Sequence, residues 1–338
     1  MRRPDGQAAT FIPGPWSTVA ATFDRLRLEL GSSRSARGVA LALATATISG
    51  FAIFINSYAV KEFDSPTVFT TLKNTFVGAV LLALLLHPKR QAEARRLTPK
   101  RALGLLVLGV IGGSIPFVLF FEGLTRVDSG NAAFLHKTLF VWVAILAVIF
   151  LRERLGRAQL GALGLLFLAQ WLLGDPGSLA GSGVAMVFGA TLLWACEVTL
   201  ARRLLSSTSS GLAASGRMTI GAALLLVYLA ITGKIGAAAE LTAVQWAWVL
   251  GTGAILLAYV TTWYAALRLA PATAVTCVLT VGAPITAALN AIAGRPAPTS
   301  EQLVGYAVLL GAVLIFAAAS FWRTGEHREP LPSAAGGP

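Results

Sequence analysis

Long apolar segments separated by short polar ones recur along the whole chain of 338 residues. Each apolar segment is about 20 residues long, which is the length that an α-helix needs to cross the hydrocarbon core of a bilayer. We therefore predict an all-α membrane protein with ten spans. Spans 1 to 10 cover residues 38–59, 66–86, 101–122, 130–151, 157–174, 182–203, 211–232, 244–267, 272–293 and 301–322.

The composition supports this interpretation and limits the alternatives. Hydrophobic residues make up 56% of the chain and charged residues only 12%, whereas soluble domains carry about 25% charged residues. Too little polar sequence remains to cover a large soluble core. The lipid bilayer is therefore the first partner that the sequence predicts.

The basic residues indicate an orientation in the membrane. The net charge is +12, but the basic residues cluster in short segments between spans, and no aromatic-basic platform indicates nucleic-acid binding. With a cytoplasmic N-terminus, 20 of the 27 Lys and Arg residues fall in cytoplasmic segments, 4 in outer loops and 3 inside spans. This distribution follows the positive-inside rule. We expect a multi-pass protein of the cell membrane with both termini in the cytoplasm.

The two terminal segments, 1–37 and 323–338, lie outside the predicted spans. In the first, apolar residues recur at intervals of 3 and 4, which fits either a helix on the membrane surface or a loosely ordered tail. They are Trp16, Val19, Phe23, Leu26 and Leu30. No short apolar core with a cleavage site precedes span 1, so no cleaved signal peptide is expected. The last segment is rich in Pro, Gly and Ala and is expected to be a disordered tail.

The chain also resembles itself at a nearly constant offset. Aligning Lys73 with Arg217 aligns Thr75 with Thr219 at an offset of 144, and the segments that begin at Glu122 and Ala265 pair at 143. The halves are then residues 38–174 and 182–322, with five spans each. An odd number of spans inverts the second half relative to the first. Inverted repeats predict a carrier that works by alternating access, with its substrate site between the halves.

The paired elements resemble the EamA-type drug/metabolite transporter superfamily. Its pattern of small residues, followed by a span that ends in Leu-x-Glu-x-Leu, fits the stretch from Phe120 that ends with Leu151, Glu153 and Leu155. The second half matches the start of the pattern with Tyr264, Ala266 and Leu267, and carries the mid-span proline as Pro284.

This sequence departs from the family pattern at several positions. Val141 stands where the proline of the first half is expected, and the second half ends in Gly294, Arg295 and Pro296 without the glutamate. Lys73 replaces the arginine that Arg217 keeps in the second half. The resemblance covers about residues 38–322 and implies two five-helix repeats that move small organic molecules.

Charged residues inside spans are the first candidates for function, because a charge at the centre of a bilayer costs at least about 2.5 kcal/mol. Lys137, with His136 beside it, is predicted to line a central cavity and to bind an anionic group of the substrate. The alternative is a structural ion pair with Glu122. Lys73 and its neighbour Asn74 are secondary candidates at a similar depth.

The other candidates are polar or aromatic residues in spans. Glu197 and Arg217 fall at similar depths and predict an ion pair, while a coupling proton carried by Glu197 is the alternative. Trp142, Tyr264 and Thr280 are further residues expected to line the cavity.

The sequence contains no motif of an enzyme, a metal site or a bound cofactor. Its three histidines and two cysteines have no metal-ligand spacing, and no Gly-Lys-Ser/Thr loop indicates ATP coupling. We expect a secondary carrier of small organic solutes with no cofactor. The alternatives are a non-transporting scaffold, an intramembrane enzyme and a channel.

Overall fold

The computed structural model describes residues 34–127, 129–174 and 179–325. Within these ranges the chain is helical, with two short 3-10 helices and no strand. The predicted surface helix and most of the predicted tail lie outside the described residues. The fourteen α-helices are α1 Arg34–Ala59, α2 Pro66–Leu85, α3 Pro88–Arg95, α4 Pro99–Gly113, α5 Ile115–Leu124, α6 Ser129–Lys137, α7 Leu139–Leu151, α8 Arg157–Leu173, α9 Ser182–Leu204, α10 Ser210–Ile231, α11 Ala243–Leu269, α12 Ala272–Leu279, α13 Gly282–Ile292 and α14 Ser300–Gly325.

The helices match the predicted spans in position. Among the described residues, nine segments are long and apolar enough to cross a membrane, and α8 is an apolar helix of 17 residues. The last helix continues to Gly325, three residues past the predicted end of span 10. The protein is therefore a multi-pass membrane protein, as its composition predicts.

Three of the predicted spans are broken rather than continuous. Ser114 separates α4 from α5, Thr138 separates α6 from α7, and Thr280 and Val281 separate α12 from α13. Backbone breaks inside a membrane protein are tolerated where protein or a cavity surrounds them.

Large apolar side chains cover the outer surface of the helical bundle. Among the exposed ones are Ile149, Phe150 and Leu314, whose exposed fractions are 61%, 59% and 70%. Apolar surface on this scale is unfavourable in water and suits a protein surrounded by lipid. The main core joins helices from both halves, including α2, α7, α9 and α12.

Candidate functional site

The breaks in spans 4 and 9 have the same local geometry. The Thr138 hydroxyl donates to the Leu135 carbonyl at 2.6 Å, and the Thr280 hydroxyl donates to the Cys277 carbonyl at 2.6 Å. The Val141 N–H also donates to the Thr138 carbonyl at 2.9 Å. Each break is thus a tight turn inserted between two half-helices.

The matching bonds align the halves at an offset of 142 residues at this point. The Ala283 N–H donates to the Thr280 carbonyl at 3.0 Å, as the Val141 N–H does to that of Thr138. Thr138 therefore corresponds to Thr280. The residue that corresponds to Lys137 is Leu279, and not Thr280 as an offset of 143 indicates.

A cavity of about 550 Å³ lies against both breaks. Helices α1, α5, α6, α7, α8, α12, α13 and α14 contribute to its wall, and Pro296 and Pro298 extend it to the end of the bundle where α13 connects to α14. Such a volume fits a small organic molecule. The polar lining residues are Ser49, His136, Lys137, Gln170, Thr276, Thr280, Thr286, Asn290, Gln302 and Tyr306.

Lys137 ends α6 and lines this cavity. Its position at the C-terminus of a half-helix favours a cation, because the free carbonyl groups there carry partial negative charge. Among the described residues, no carboxylate lies within ion-pair distance of Lys137. Glu122, the predicted alternative partner, contacts Arg126 at 3.7 Å and accepts a hydrogen bond from the Tyr228 hydroxyl at 3.1 Å. The Lys137 ammonium is therefore unpaired in the part of the chain that the structure describes.

His136 lines the same cavity and packs between aromatic rings. Its ring centroid lies 5.3 Å from that of Phe120 and 4.9 Å from that of Trp194, with the rings edge to face. Its Nδ1 atom is buried and has no hydrogen-bond partner among the described residues. This contact holds the imidazole against the wall beside the Lys137 ammonium.

Gln170 is a cavity residue that sequence reasoning missed. It is 2% exposed, and both its amide nitrogen and its amide oxygen lack a partner among the described residues. The sequence does contain a signal, because Gln170 is the single polar residue in the apolar run from Leu160 to Leu173. A neutral amide in a span is a weaker sequence signal than a charge, because burying it is less costly.

The remaining substrate candidates lie away from the cavity wall. The Lys73 ammonium donates to the Asn56 side-chain oxygen at 3.3 Å and lies 4.8 Å from the centre of the Phe69 ring. Asn74 is buried, and its amide nitrogen has no partner among the described residues. The Trp142 indole N–H donates to the Thr138 hydroxyl at 3.1 Å.

Glu197 and Arg217 form a buried ion pair, with Nε and Oε1 3.4 Å apart. The Tyr264 hydroxyl donates to the same Oε1 at 2.5 Å, so this tyrosine supports the pair rather than the cavity wall. Arg217 also donates to the Gly112 carbonyl at 3.0 Å. The absence of a side chain at Gly112 leaves room for Glu197, because an added Cβ would clash with the Glu197 Cγ.

Glu153 connects the end of span 4 to the start of span 9. Its carboxylate accepts from the Ala272 N–H at 2.7 Å and from the Thr273 hydroxyl at 2.8 Å. Arg152, with a left-handed φ of 55°, follows the last residue of α7 and ends that helix directly before Glu153. The glutamate of the Leu-x-Glu-x-Leu ending thus caps the N-terminus of α12, where an anion is favourable.

Comparisons with known proteins agree on one family. The model of the EamA-like transporter family matches residues 36–174 and again residues 181–318. A transporter of Archaeoglobus fulgidus is 27% identical over 191 residues, 56% of this chain and 66% of its own length. The S-adenosylmethionine/S-adenosylhomocysteine transporter of Chlamydia trachomatis is 28% identical over 204 residues, 54% of this chain and 62% of its own length. These matches thus span slightly less than two thirds of either relative.

A solved crystal structure shares the fold. It superposes with a TM-score of 0.64 at 16% sequence identity, and the match covers 84% of this chain and 98% of the other. The two matches of the family model confirm the resemblance inferred from the motifs, at the level of the family and its two repeats.

Proposed function

Because the chain belongs to the EamA-like transporter family, we propose that it is a secondary carrier that moves small anionic organic solutes by alternating access. The solute binds in the cavity beside the two helix breaks, and the Lys137 ammonium contacts its anionic group. The single observation that carries this proposal is an unpaired cation at a helix break, in the wall of a cavity large enough for a solute.

Helix packing supports two halves of like architecture. The contact of α1 with α11 in one half corresponds to the contact of α9 with α4 and α5 in the other. In the same way, the contact of α10 with α4 corresponds to the contact of α2 with α11. The contacts α2–α10 and α8–α14 join corresponding helices, and the contact α7–α12 joins the corresponding spans 4 and 9 through opposite half-helices. We propose that the halves, residues 38–174 and 182–322, are inverted five-helix repeats, because five spans reverse the direction of the second copy.

The cavity and the cap of Glu153 suggest which side is open. Pro296 and Pro298 lie at the end of the bundle that the charge count places outside, and Glu153 at the end that it places in the cytoplasm. In our proposal, this conformation faces outward in the cell membrane, with both termini in the cytoplasm. Neither Glu197 nor Arg217 is among the residues that line the cavity, and we assign this ion pair a structural role.

The chemistry of the cavity supports an anionic solute. A hydrogen bond to a charged group contributes about 1.5–3 kcal/mol, which corresponds to roughly a 10- to 100-fold change in affinity. The two substrates named for the Chlamydia relative each carry a carboxylate that a lysine can bind, although neither is a net anion. A scaffold requires no unpaired cation in the wall of a cavity.

The test combines a binding screen with flux. A metabolite library is screened for thermal stabilisation of the purified protein, and the stabilising solutes are then assayed for exchange in proteoliposomes. We expect anionic solutes to predominate, and Lys137→Met to lower their exchange by about 10- to 100-fold. Lys61→Met, at an exposed position in the 3-10 helix Val60–Glu62, is the matched control and should leave exchange unchanged.

Three results would contradict the proposal. Exchange that is unaffected by Lys137→Met in a folded protein removes the role of the lysine. Stabilisation without flux favours a scaffold, and flux that neither saturates nor responds to solute on the opposite side favours a channel.

A further inference from the structure

Gln170 presents two unsatisfied hydrogen-bonding atoms at the cavity wall. Its side chain is 2% exposed, and neither amide atom has a partner among the described residues. Buried polar groups in proteins are nearly always hydrogen-bonded, so an unpaired amide beside a cavity calls for a ligand or another specific cause.

A second glutamine on the same helix provides the contrast. Gln159 is also buried, but its side-chain oxygen accepts from the Gly156 N–H at 2.9 Å and its nitrogen donates to the Ser320 hydroxyl at 2.9 Å. Gln159 therefore has a structural role at the start of α8. Gln170 has no comparable bonds, although both glutamines occur in one helix of 17 residues.

The amide group has a defined chemical preference. It presents one acceptor and one donor side by side, and it pairs with a group that presents a donor beside an acceptor. A carboxamide has this arrangement, as does the edge of an adenine base. Lys137 lines the same cavity, so one solute of moderate size can contact both residues.

We propose that Gln170 is a specificity-determining residue, which binds through both amide atoms a second polar group of the transported solute. The solute class is then an organic anion that also carries a carboxamide or a similar donor–acceptor pair. This inference rests on the proposed function, because it places the second group in the same cavity as the anionic group.

The test uses pairs of monoanionic solutes that differ only in this second group. Succinamate and monomethyl succinate are such a pair, because the ester keeps an acceptor and loses the donor. Larger pairs of carboxamides and methyl esters extend the test across the cavity. The measurement is the concentration of each solute that gives half-maximal thermal stabilisation of the full-length protein.

We expect the wild-type protein to prefer the carboxamide members by about tenfold. Gln170→Leu should abolish this preference while the melting temperature stays equal or rises, because no native bond is lost. Gln159→Leu, the matched control, should lower the melting temperature and keep the preference. Gln170→Met replaces Gln170→Leu if the leucine variant does not fold.

Other results overturn the inference. A wild-type protein that responds equally to both members of every pair, or to no carboxamide member, lacks this subsite. A Gln170→Leu protein that still prefers the carboxamide members would show that Gln170 does not bind the second group. If Lys137→Met does not change the exchange of anionic solutes, the proposed function fails instead. That result is measured separately, by flux in proteoliposomes.

Discussion

The two broken spans share their backbone and differ in their chemistry. Both breaks place a threonine hydroxyl on the carbonyl three residues earlier, at 2.6 Å in each case. Yet Lys137 precedes the first break, and Leu279 stands at the same position before the second. The repeated element thus supplies the site's shape, and the difference between the copies supplies its charge.

The causes of the two breaks also differ. Pro284 lies four residues after Thr280, and a proline both lacks an N–H and clashes with the carbonyl four residues earlier. At the offset of 142 the corresponding residue of the first half is Trp142, and not Val141 as the offset of 143 predicts. The Trp142 indole N–H donates to the Thr138 hydroxyl at 3.1 Å. One break is therefore fixed by a backbone restriction and the other by a side-chain hydrogen bond.

Moving the lysine from the first break to the second tests whether charge alone distinguishes the two breaks, and we expect it to give the largest change in affinity. Lys137→Leu should weaken binding of anionic solutes by about 10- to 100-fold, because a charged hydrogen bond is lost. Adding Leu279→Lys, which faces the same cavity, should recover about tenfold of that loss. Affinities are measured by thermal stabilisation and by exchange in proteoliposomes.

Lys137→Arg serves as the control, since it keeps the charge at the original position. If the double variant binds no better than Lys137→Leu alone, the cavity requires the lysine at the first break, and the two copies are not interchangeable in charge.

The ends of the two broken spans provide a second comparison. Glu153 caps α12, whereas the residue at the same offset in the second half, Arg295, donates to the Ser57 hydroxyl at 3.0 Å and to the Asn290 side-chain oxygen at 3.0 Å. The end that carries Glu153 is thus held by a carboxylate on a helix N-terminus. The other end, where the cavity opens, lacks this cap.

Glu153→Ala should raise the accessibility of the capped end to a thiol reagent by about tenfold, because several hydrogen bonds to a carboxylate are lost. Cys277 is fully buried one turn beyond the cap and can report the change in a Cys196→Ser background. The measurement is the rate at which N-ethylmaleimide modifies Cys277. Glu240→Ala, at an exposed position, should leave the rate unchanged, and an unchanged rate in Glu153→Ala would show that the cap does not hold this end closed.

Hydropathy was sufficient to predict where helices lie. The ends of α1 and α2 fall within a few residues of the predicted spans, because about 20 apolar residues have few other stable states in a bilayer. It could not predict that spans 4 and 9 are broken, because both breaks fall inside apolar runs. Only Pro284 indicated one of them.

The residues of the candidate site were only partly predictable from the sequence. Lys137 and His136 could be found because charged and titratable groups are rare in spans. Gln170 was missed, since a neutral amide looks alike in sequence whether it is satisfied, as in Gln159, or unpaired. Lys73 has a sequence context like that of Lys137, and only the structure reveals the Asn56 acceptor that engages it.

Removing the hydroxyl from each break is the finest test of the comparison. Thr138→Val and Thr280→Val each lose one neutral hydrogen bond, which contributes about 0.5–1.5 kcal/mol to stability. Thr138→Val should lower the free energy of unfolding more, because it also leaves the Trp142 N–H without its acceptor. Thermal melting in detergent gives the ranking. As a control, adding Trp142→Phe to Thr138→Val removes the unsatisfied donor and should bring the stability back towards that of Thr280→Val. If the two single variants lose the same stability, the indole hydrogen bond does not stabilise the first break.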